Sequence, residues 1–284
     1  MQLATYVGWR VHGILGGLVA GLLFVLPGAL IMLCIGIAYV YFGTFGIIGA
    51  LFLGVKAAIV VIVLQALIRL AGKALQRPHQ WVVAIIGFCG IFILALPFPL
   101  IIAMAAIYGF ANNRQLQATT KMLPLPNGKD SAKTVLIWVG IWWGPLLAID
   151  LFTDAHLLAA IRYFFSKLAV VTFGGAYAGL AYLEQDVVGH LGWLQPAEMM
   201  DGLGLAETTP GPLILVTEFV GFLAAFKTAG IAHGIAGAAI ALWATFIPCF
   251  LWIFAGAPYL DWLTYQPRLQ SALASITATV VGVI

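Results

Sequence analysis

Apolar residues run along this chain in long blocks, without the strict alternation of a half-exposed strand or the single stripe of a water-facing helix. Residues 18–42 hold no charge, and at about 1.5 Å per residue they cover a hydrocarbon core of about 30 Å as one helix. Residues 46–70 form a second block that carries Lys56 and Gln65 and ends on Arg69. Residues 78–113 contain no Asp, Glu, Lys or Arg and would overrun the membrane as a single helix, so the chain must turn back within them. Pro97-Phe98-Pro99 marks the place, because proline removes a backbone donor and disfavours helix in the residue before it. Two short spans or a re-entrant pair both satisfy this reading. Further blocks occupy 134–149, 157–183, 203–226, 235–252 and 269–284, those at 157–183 and 203–226 interrupted by glycine and ionisable residues. The pattern predicts an all-α polytopic membrane protein of about nine spans.

The loops orient these spans. Arg69, Lys73, Arg77 and His79 form a basic stretch of the kind retained in the cytoplasm. Residues 112–133 are the long polar segment, with Pro124, Pro126 and Asn127-Gly128 among Arg114, Lys121, Lys129 and Lys133, and read as a cytoplasmic linker. It divides a first transmembrane repeat, 1–111, from a second, 134–284. Asp150, Asp154 and His156 follow the next span on the outer side.

The two halves share a pattern. His12-Gly13-Ile14-Leu15-Gly16 recurs as His233-Gly234-Ile235-Ala236-Gly237, and at the same offset Ala20 falls on Ala241, Pro27 on Pro248 and Leu30 on Leu251. Val7-Gly8-Trp9 pairs with Val220-Gly221-Phe222 at a shorter offset, so the second copy has the longer connection. An odd number of spans between the copies makes them inverted repeats, with a substrate site near the midplane between halves. On this alignment Met1 corresponds to Ile214, and the chain is expected to begin part-way through its first repeat, truncated relative to the second.

Composition agrees with a lipid solvent: of 284 residues 63% are hydrophobic and 8% charged, and the mean hydropathy is +1.07. A net charge of +3 without any Lys/Arg run excludes a nucleic-acid partner. Cys34, Cys89 and Cys249 lie in apolar stretches at unrelated spacings and indicate neither disulfides nor a metal site. No cofactor is expected.

Two clusters break the apolar rule. Ser166-Lys167, Thr172-Phe173-Gly174-Gly175-Ala176-Tyr177 and Glu184-Gln185-Asp186 form the first; Asp201-Gly202-Leu203-Gly204-Leu205-Ala206-Glu207-Thr208-Thr209-Pro210-Gly211-Pro212 forms the second, ahead of a helix expected to start near Leu213. Unpaired N–H groups and a positive dipole end at such a helix start, buried at the midplane, suit an anion. Each piece also has a structural reading. Gly174-Gly175 alone is close packing, Pro-Gly-Pro alone is a turn, Lys167 can snorkel, Arg162 and the acids near Asp186 stand at helix ends, and His12 and His233 read as solvated loop residues. Glu207 lies inside a span between glycines and a helix start, where an ionisable residue points to function, here proton coupling; Glu218 further along could be its partner or a second proton site.

Taken together, Phe173 to Tyr177, Gly202 to Leu213, Phe219-Val220-Gly221-Phe222-Leu223-Ala224-Ala225, Leu3 to Trp9 and Phe246-Ile247-Pro248-Cys249-Phe250-Leu251-Trp252 resemble the chromate ion transporter family over essentially the whole chain. The resemblance implies a multi-pass transporter of the bacterial inner membrane that moves a tetrahedral oxyanion, chromate or sulfate, by alternating access, and is no enzyme. It also implies that long members carry a Gly-Gly and a Pro-Gly-Pro in each half. The oxyanion would then be held by Lys167, Thr172, Gly174, Gly175, Thr208, Thr209 and Gly211, with Glu207 as the proton-linked carboxyl. Its partners would be the oxyanion, membrane lipid and, as one assembly, a second copy in a homodimer. A non-transporting membrane remnant or scaffold, and an anion channel, are the alternative readings.

Overall fold

The computed structural model of the chain describes residues 1–43, 46–94, 96–112, 128–152, 156–171, 176–260, 262 and 266–283. Among them every regular element is helical: α1 (Gln2–Phe42), α2 (Gly46–Ala74), α3 (Pro78–Phe92), α4 (Phe98–Ala111), α5 (Gly128–Phe152), α6 (His156–Val171), α7 (Ala176–Glu184), α8 (Pro196–Thr208), α9 (Val216–Ala229), α10 (Ile231–Gly256) and α11 (Pro267–Val283). A π turn at Gln185–His190 and 3-10 turns at Leu213–Leu215 and Ala257–Tyr259 complete them. Most of the expected linker, residues 113–127, lies outside the described residues.

Gln2–Phe42, Ser131–Ala148 and Ile231–Tyr259 are long and apolar enough to cross a membrane, and α3 and α4 are shorter apolar helices. Bulky side chains stay outward even where helices pack: Ile85 and Ile86 are 58% and 60% exposed, beside Trp81, Val82 and Phe88. Water would not stabilise such a surface, but lipid tails do. The chain is a multi-pass membrane protein.

The interruption expected in the block 203–226 is present: α8 and α9 are separated at 209–212, just ahead of the helix start expected near Leu213. In the block 157–183, α6 ends at Val171 and α7 begins at Ala176, and 172–175 lie outside the described residues. Helix also extends before residue 18: α1 begins at Gln2 and bends sharply at His12 (φ −133°, ψ 25°) and Gly13 (φ 65°, ψ −155°). The chain breaks its helix near Pro97, with α3 ending at Phe92 and α4 starting at Phe98 behind Pro97.

The chain folds into two compact units. The first comprises Met1–Ile59, Asn127–Val170 and Glu184–Ala257. Within it, the arms of α1 on either side of Gly13 form one tight hairpin and α9 with α10 forms another, turning at Gly230 (φ 81°, ψ −164°). Both turning glycines occupy a region that side chains essentially exclude. The hairpins close by equivalent contacts. A Cβ on Gly8 would strike the Gly16 carbonyl and come within 2.9 Å of Ala20 Cβ; one on Gly221 would come within 2.6 Å of the Gly237 carbonyl and 2.7 Å of Ala241 Cβ. These are the residues that the sequence pattern pairs, but the turns differ from it. His233-Gly234 lies inside α10 rather than in a loop, because each arm of the second hairpin is longer by about one helical turn, which preserves the facing glycines.

α5 is fixed to α10 by a different device. Pro145 deprives the Ile141 carbonyl of its helical partner, and the indole Nε1 of Trp243 donates to the carbonyls of Ile141 and Trp142 at 3.2 Å each. Trp138 stacks on Phe250 and Phe254, with centroids 5.6 and 5.2 Å away. Arg162 Nη1 on α6 donates to the Leu146 carbonyl at 2.8 Å, so this residue has the structural role expected of it.

The second unit comprises Val60–Pro126, Val171–Leu183 and Pro258–Ile284. Here α11 lies against α3 and α4 through small residues: a Cβ on Gly87 would come within 2.8 Å of Thr279, and one on Gly282 would strike the Ala84 carbonyl. Phe98 stacks on Tyr182 at 5.8 Å and the Arg268 guanidinium lies 5.7 Å from the Phe110 ring centre.

Adding bulk at a hairpin contact forces the backbones apart. Gly237→Leu should therefore lower the stability of the detergent-solubilised protein by about 1–3 kcal/mol. Gly140→Ala, where an added Cβ meets nothing within 4 Å, should not lower it. Thermal unfolding of the two variants checks this, and equal midpoints would remove the role assigned to the glycine contact.

Candidate oxyanion site

The second polar cluster of the sequence forms α8 and the loop behind it. α8 starts on a capping box in which the Gln195 N–H donates to Glu198 Oε2 at 2.7 Å. That carboxylate also receives Lys227 Nζ from the last turn of α9, and the same ammonium donates to the Trp193 carbonyl at 3.2 Å. One turn further along α8, buried Asp201 accepts from the Tyr39 hydroxyl of α1 at 2.9 Å. Both links lie in the first half of α8 and tie it to α9 and α1.

The other end of α8 is the loop end, roughly 15 Å from Glu198 along the helix axis. Thr208 Oγ1 donates to the carbonyls of Gly204 and Leu205 at 3.0 and 3.2 Å, and Thr209 Oγ1 donates to Leu205 O at 2.6 Å. These hydroxyls close the last turn of α8, and Thr209 is buried while Thr208 is exposed. Their lone pairs stay available, but their protons point back into the helix. Gly211 has φ 138°, a conformation reserved for glycine. Leu215 N–H is the first to turn back, onto Pro212 O at 2.9 Å. The amides of Gly211, Leu213 and Ile214 therefore stand ahead of the first hydrogen bond of the turn that leads into α9.

The loop is seated on α1. A Cβ on Gly28 would strike the Pro210 carbonyl, approach Leu215 Cδ1 to 2.7 Å and reach within 3.4 Å of Gly211 Cα; one on Gly211 would lie 3.5 Å from Gly28 Cα. Gly28 follows Pro27 within α1 and is buried, whereas Pro210 and Gly211 of the loop that lies on it are exposed.

The structure brings Glu207, Thr208, Thr209 and Gly211 together here and separates their expected roles. Glu207 is half-buried in the last turn of α8, after Gly202 and Gly204, and the loop beyond it opens onto a 3-10 turn before α9 begins at Val216. Lys167 lies on the exposed side of α6, between buried Ser166 and Leu168. Thr172, Gly174 and Gly175 lie outside the described residues. His12 is exposed at the bend of α1, whereas His233 is not a solvated loop residue: it is half-buried in the first turn of α10 and lines a cavity of about 420 Å³ with His156. The Tyr39–Asp201 and Glu198–Lys227 links were not foreseen, and only the i, i+3 spacing of Glu198 and Asp201 on α8 hinted that both acids share a face.

The family profile described as chromate transporter matches residues 1–110 and 159–284, which include the loop, its seat on α1 and both glycine hairpins. The chain belongs to the chromate transporter family. Over its whole length it is 29% identical to a probable chromate transport protein of Synechococcus elongatus, covering 68% of that protein. It is 30% identical to a chromate transport protein of Pseudomonas aeruginosa, covering 65% of it, and 24% identical to an uncharacterized transporter of Methanocaldococcus jannaschii, covering 68%. The chain thus spans about two thirds of the length of these curated relatives. No solved structure matches it. Chromate transporters are transport proteins and not enzymes, so the site is to be judged by what it can bind and release.

The seating of the loop on α1 can be tested by bulk in this chromate transporter. Gly28→Leu, whose Cβ would strike the Pro210 carbonyl, should lower the stability of the solubilised protein by about 1–3 kcal/mol. Thermal unfolding checks this; an unchanged midpoint would contradict the seating of the loop.

Proposed function

We propose that this chromate transporter moves a tetrahedral oxyanion, chromate with sulfate as a related substrate, across a bacterial inner membrane by alternating access between inverted halves. The observation that carries the reading is the loop 209–212 against Gly28, where glycine on both sides lets backbone N–H groups approach a ligand without side chains between. Thr208 and Thr209 would join as donors by turning their hydroxyl protons away from the α8 carbonyls that now accept them. The names of the bacterial relatives agree with chromate as the cargo.

Direction follows from energetics. A dianion leaving a cell held at 100 mV negative inside gains about 4.6 kcal/mol, twice the ~2.3 kcal/mol per elementary charge. Efflux is therefore driven by the membrane potential. Glu207 modulates affinity: a carboxylate close to a dianion in a poorly screened site opposes it, so anion binding strengthens as pH falls and Glu207 takes up a proton.

Chromate flux in everted vesicles tests this. Gly211→Leu should reduce flux by about tenfold or more, the loss of roughly 1.4 kcal/mol or more of interaction, with the protein present at its normal level. Glu207→Gln should retain flux and lose its strengthening at low pH. Normal saturable flux in Gly211→Leu would move the site elsewhere, and a non-saturating conductance would make the protein a channel.

A further inference from the structure

Glu218 is the most enclosed acid among the described residues. It is 1% exposed in α9, its Oε2 has no hydrogen-bond partner among those residues, and no ion pair reaches it. Its position follows from its neighbours one turn along. Gly221 faces Gly237 and Ala241 of α10, and Phe222 faces Gly36 of α1 and Gly234 of α10, so Glu218 points into the seam between α1, α9 and α10. Buried hydroxyls share this region: Thr217 Oγ1 donates to Ile214 O at 2.8 Å, and Thr245 Oγ1 lies 3.4 Å from Thr217 Oγ1.

Among the described residues the surrounding elements offer Glu218 no counter-charge. On α8, Glu198 is held by Lys227 and Asp201 by Tyr39, both toward the far end of that helix, while Glu207 stands at its loop end. On α1 the titratable groups are Tyr6, Arg10, His12, Cys34, Tyr39 and Tyr41, with Arg10 and His12 at the bend, Tyr39 committed to Asp201 and Tyr41 against the Phe226 ring. On α10 they are His233, in the first turn, and Cys249, whose thiol donates to the Thr245 carbonyl at 3.6 Å. A bare carboxylate enclosed in this way would be very costly, whereas a neutral acid is not.

The two hairpins supply an independent comparison. In the register that pairs Gly8 with Gly221, Thr5 is the counterpart of Glu218. Thr5 is also 1% exposed, with Oγ1 unpartnered among the described residues and Gly21 beside it. An equivalent hairpin thus packs with a small neutral hydroxyl at this position, so packing does not call for an acid at Glu218.

We propose that Glu218 is a proton-binding site of this chain, loaded in the closed arrangement of α1, α9 and α10 and emptied when the α8–α9 loop moves with its oxyanion. The second half of this statement rests on the transport reading above; the first does not. Because the loop joins α9 directly through the 3-10 turn at Leu213–Leu215, movement at Gly211 is transmitted to the helix that carries Glu218.

The test uses the full chain in proteoliposomes with two readouts. Dicyclohexylcarbodiimide, which enters lipid and reacts with protonated carboxyls, should label Glu218 at neutral pH, as read by peptide mass spectrometry. Labelling should then fall by about tenfold per pH unit once the acid ionises. An imposed chromate gradient should change the signal of an internal pH dye in the native chain, and Glu218→Gln should reduce that change per chromate moved, leaving only the part linked to Glu207. Absence of labelling at Glu218 across the pH range, or labelling abolished by sodium at constant pH, would overturn the proton site even if Glu218→Gln failed to fold. A dye response per chromate unchanged in Glu218→Gln would overturn its coupling. If the native chain moved no chromate, the transport reading would fall and the labelling result would still decide Glu218.

Discussion

Lipid tails are as apolar as leucine, so the helices of this chain gain nothing by burying leucine against leucine, and what holds them is the close approach of backbone to backbone. Gly8 against Gly16, Gly221 against Gly237, Gly28 against Pro210 and Gly282 against Ala84 are all contacts that a Cβ would break. Bulky side chains such as Leu15, Leu23 and Ile86 stay outward. The rest of the structure depends on this constraint, because it lets the α8–α9 loop lie directly on α1 with no side chain between.

The same solvent decides where helices can be interrupted. Freed backbone groups must be satisfied or enclosed, since lipid offers neither donor nor acceptor. At Pro145 the freed carbonyl takes the indole of Trp243, and the result is a structural joint. At 209–212 the loop closes over its own threonines and lies on Gly28, yet it leaves amides ahead of the α9 turn. That difference separates a joint from a candidate site. Glu198 with Lys227 and Asp201 with Tyr39 hold the opposite end of α8, so the loop sits at the end of a helix that is anchored elsewhere.

Much of this was legible in the sequence for particular reasons. The uncharged run 18–42 and the helix break at Pro97 follow from length and proline chemistry, and the paired small residues of the repeat coincide with the hairpin contacts because only glycine or alanine fits there. The interruption of 203–226 was legible because Thr208 to Pro212 carries the threonine and proline signals of a helix start, and the start expected near Leu213 falls on the 3-10 turn that leads into α9. The His-Gly match set the second turn at residue 234 instead of 230, since lengthening both arms by one helical turn keeps the facing pattern. Tyr39 and Asp201 stand 162 positions apart, beyond the reach of any periodicity. Glu218 resembles any acid on a helix until α1 and α10 are seen to enclose it.

The central claim is that backbone amides at the entrance to α9 hold the oxyanion. Hydrogen exchange followed by mass spectrometry, with and without chromate, tests it most directly, because a bound oxyanion accepts from those N–H groups and slows their exchange. The account predicts protection confined to peptides spanning residues 209–216, with the hairpin around Gly221 and Gly237 unchanged. Chromate transported by the same preparation with no protection of 209–216 would contradict it.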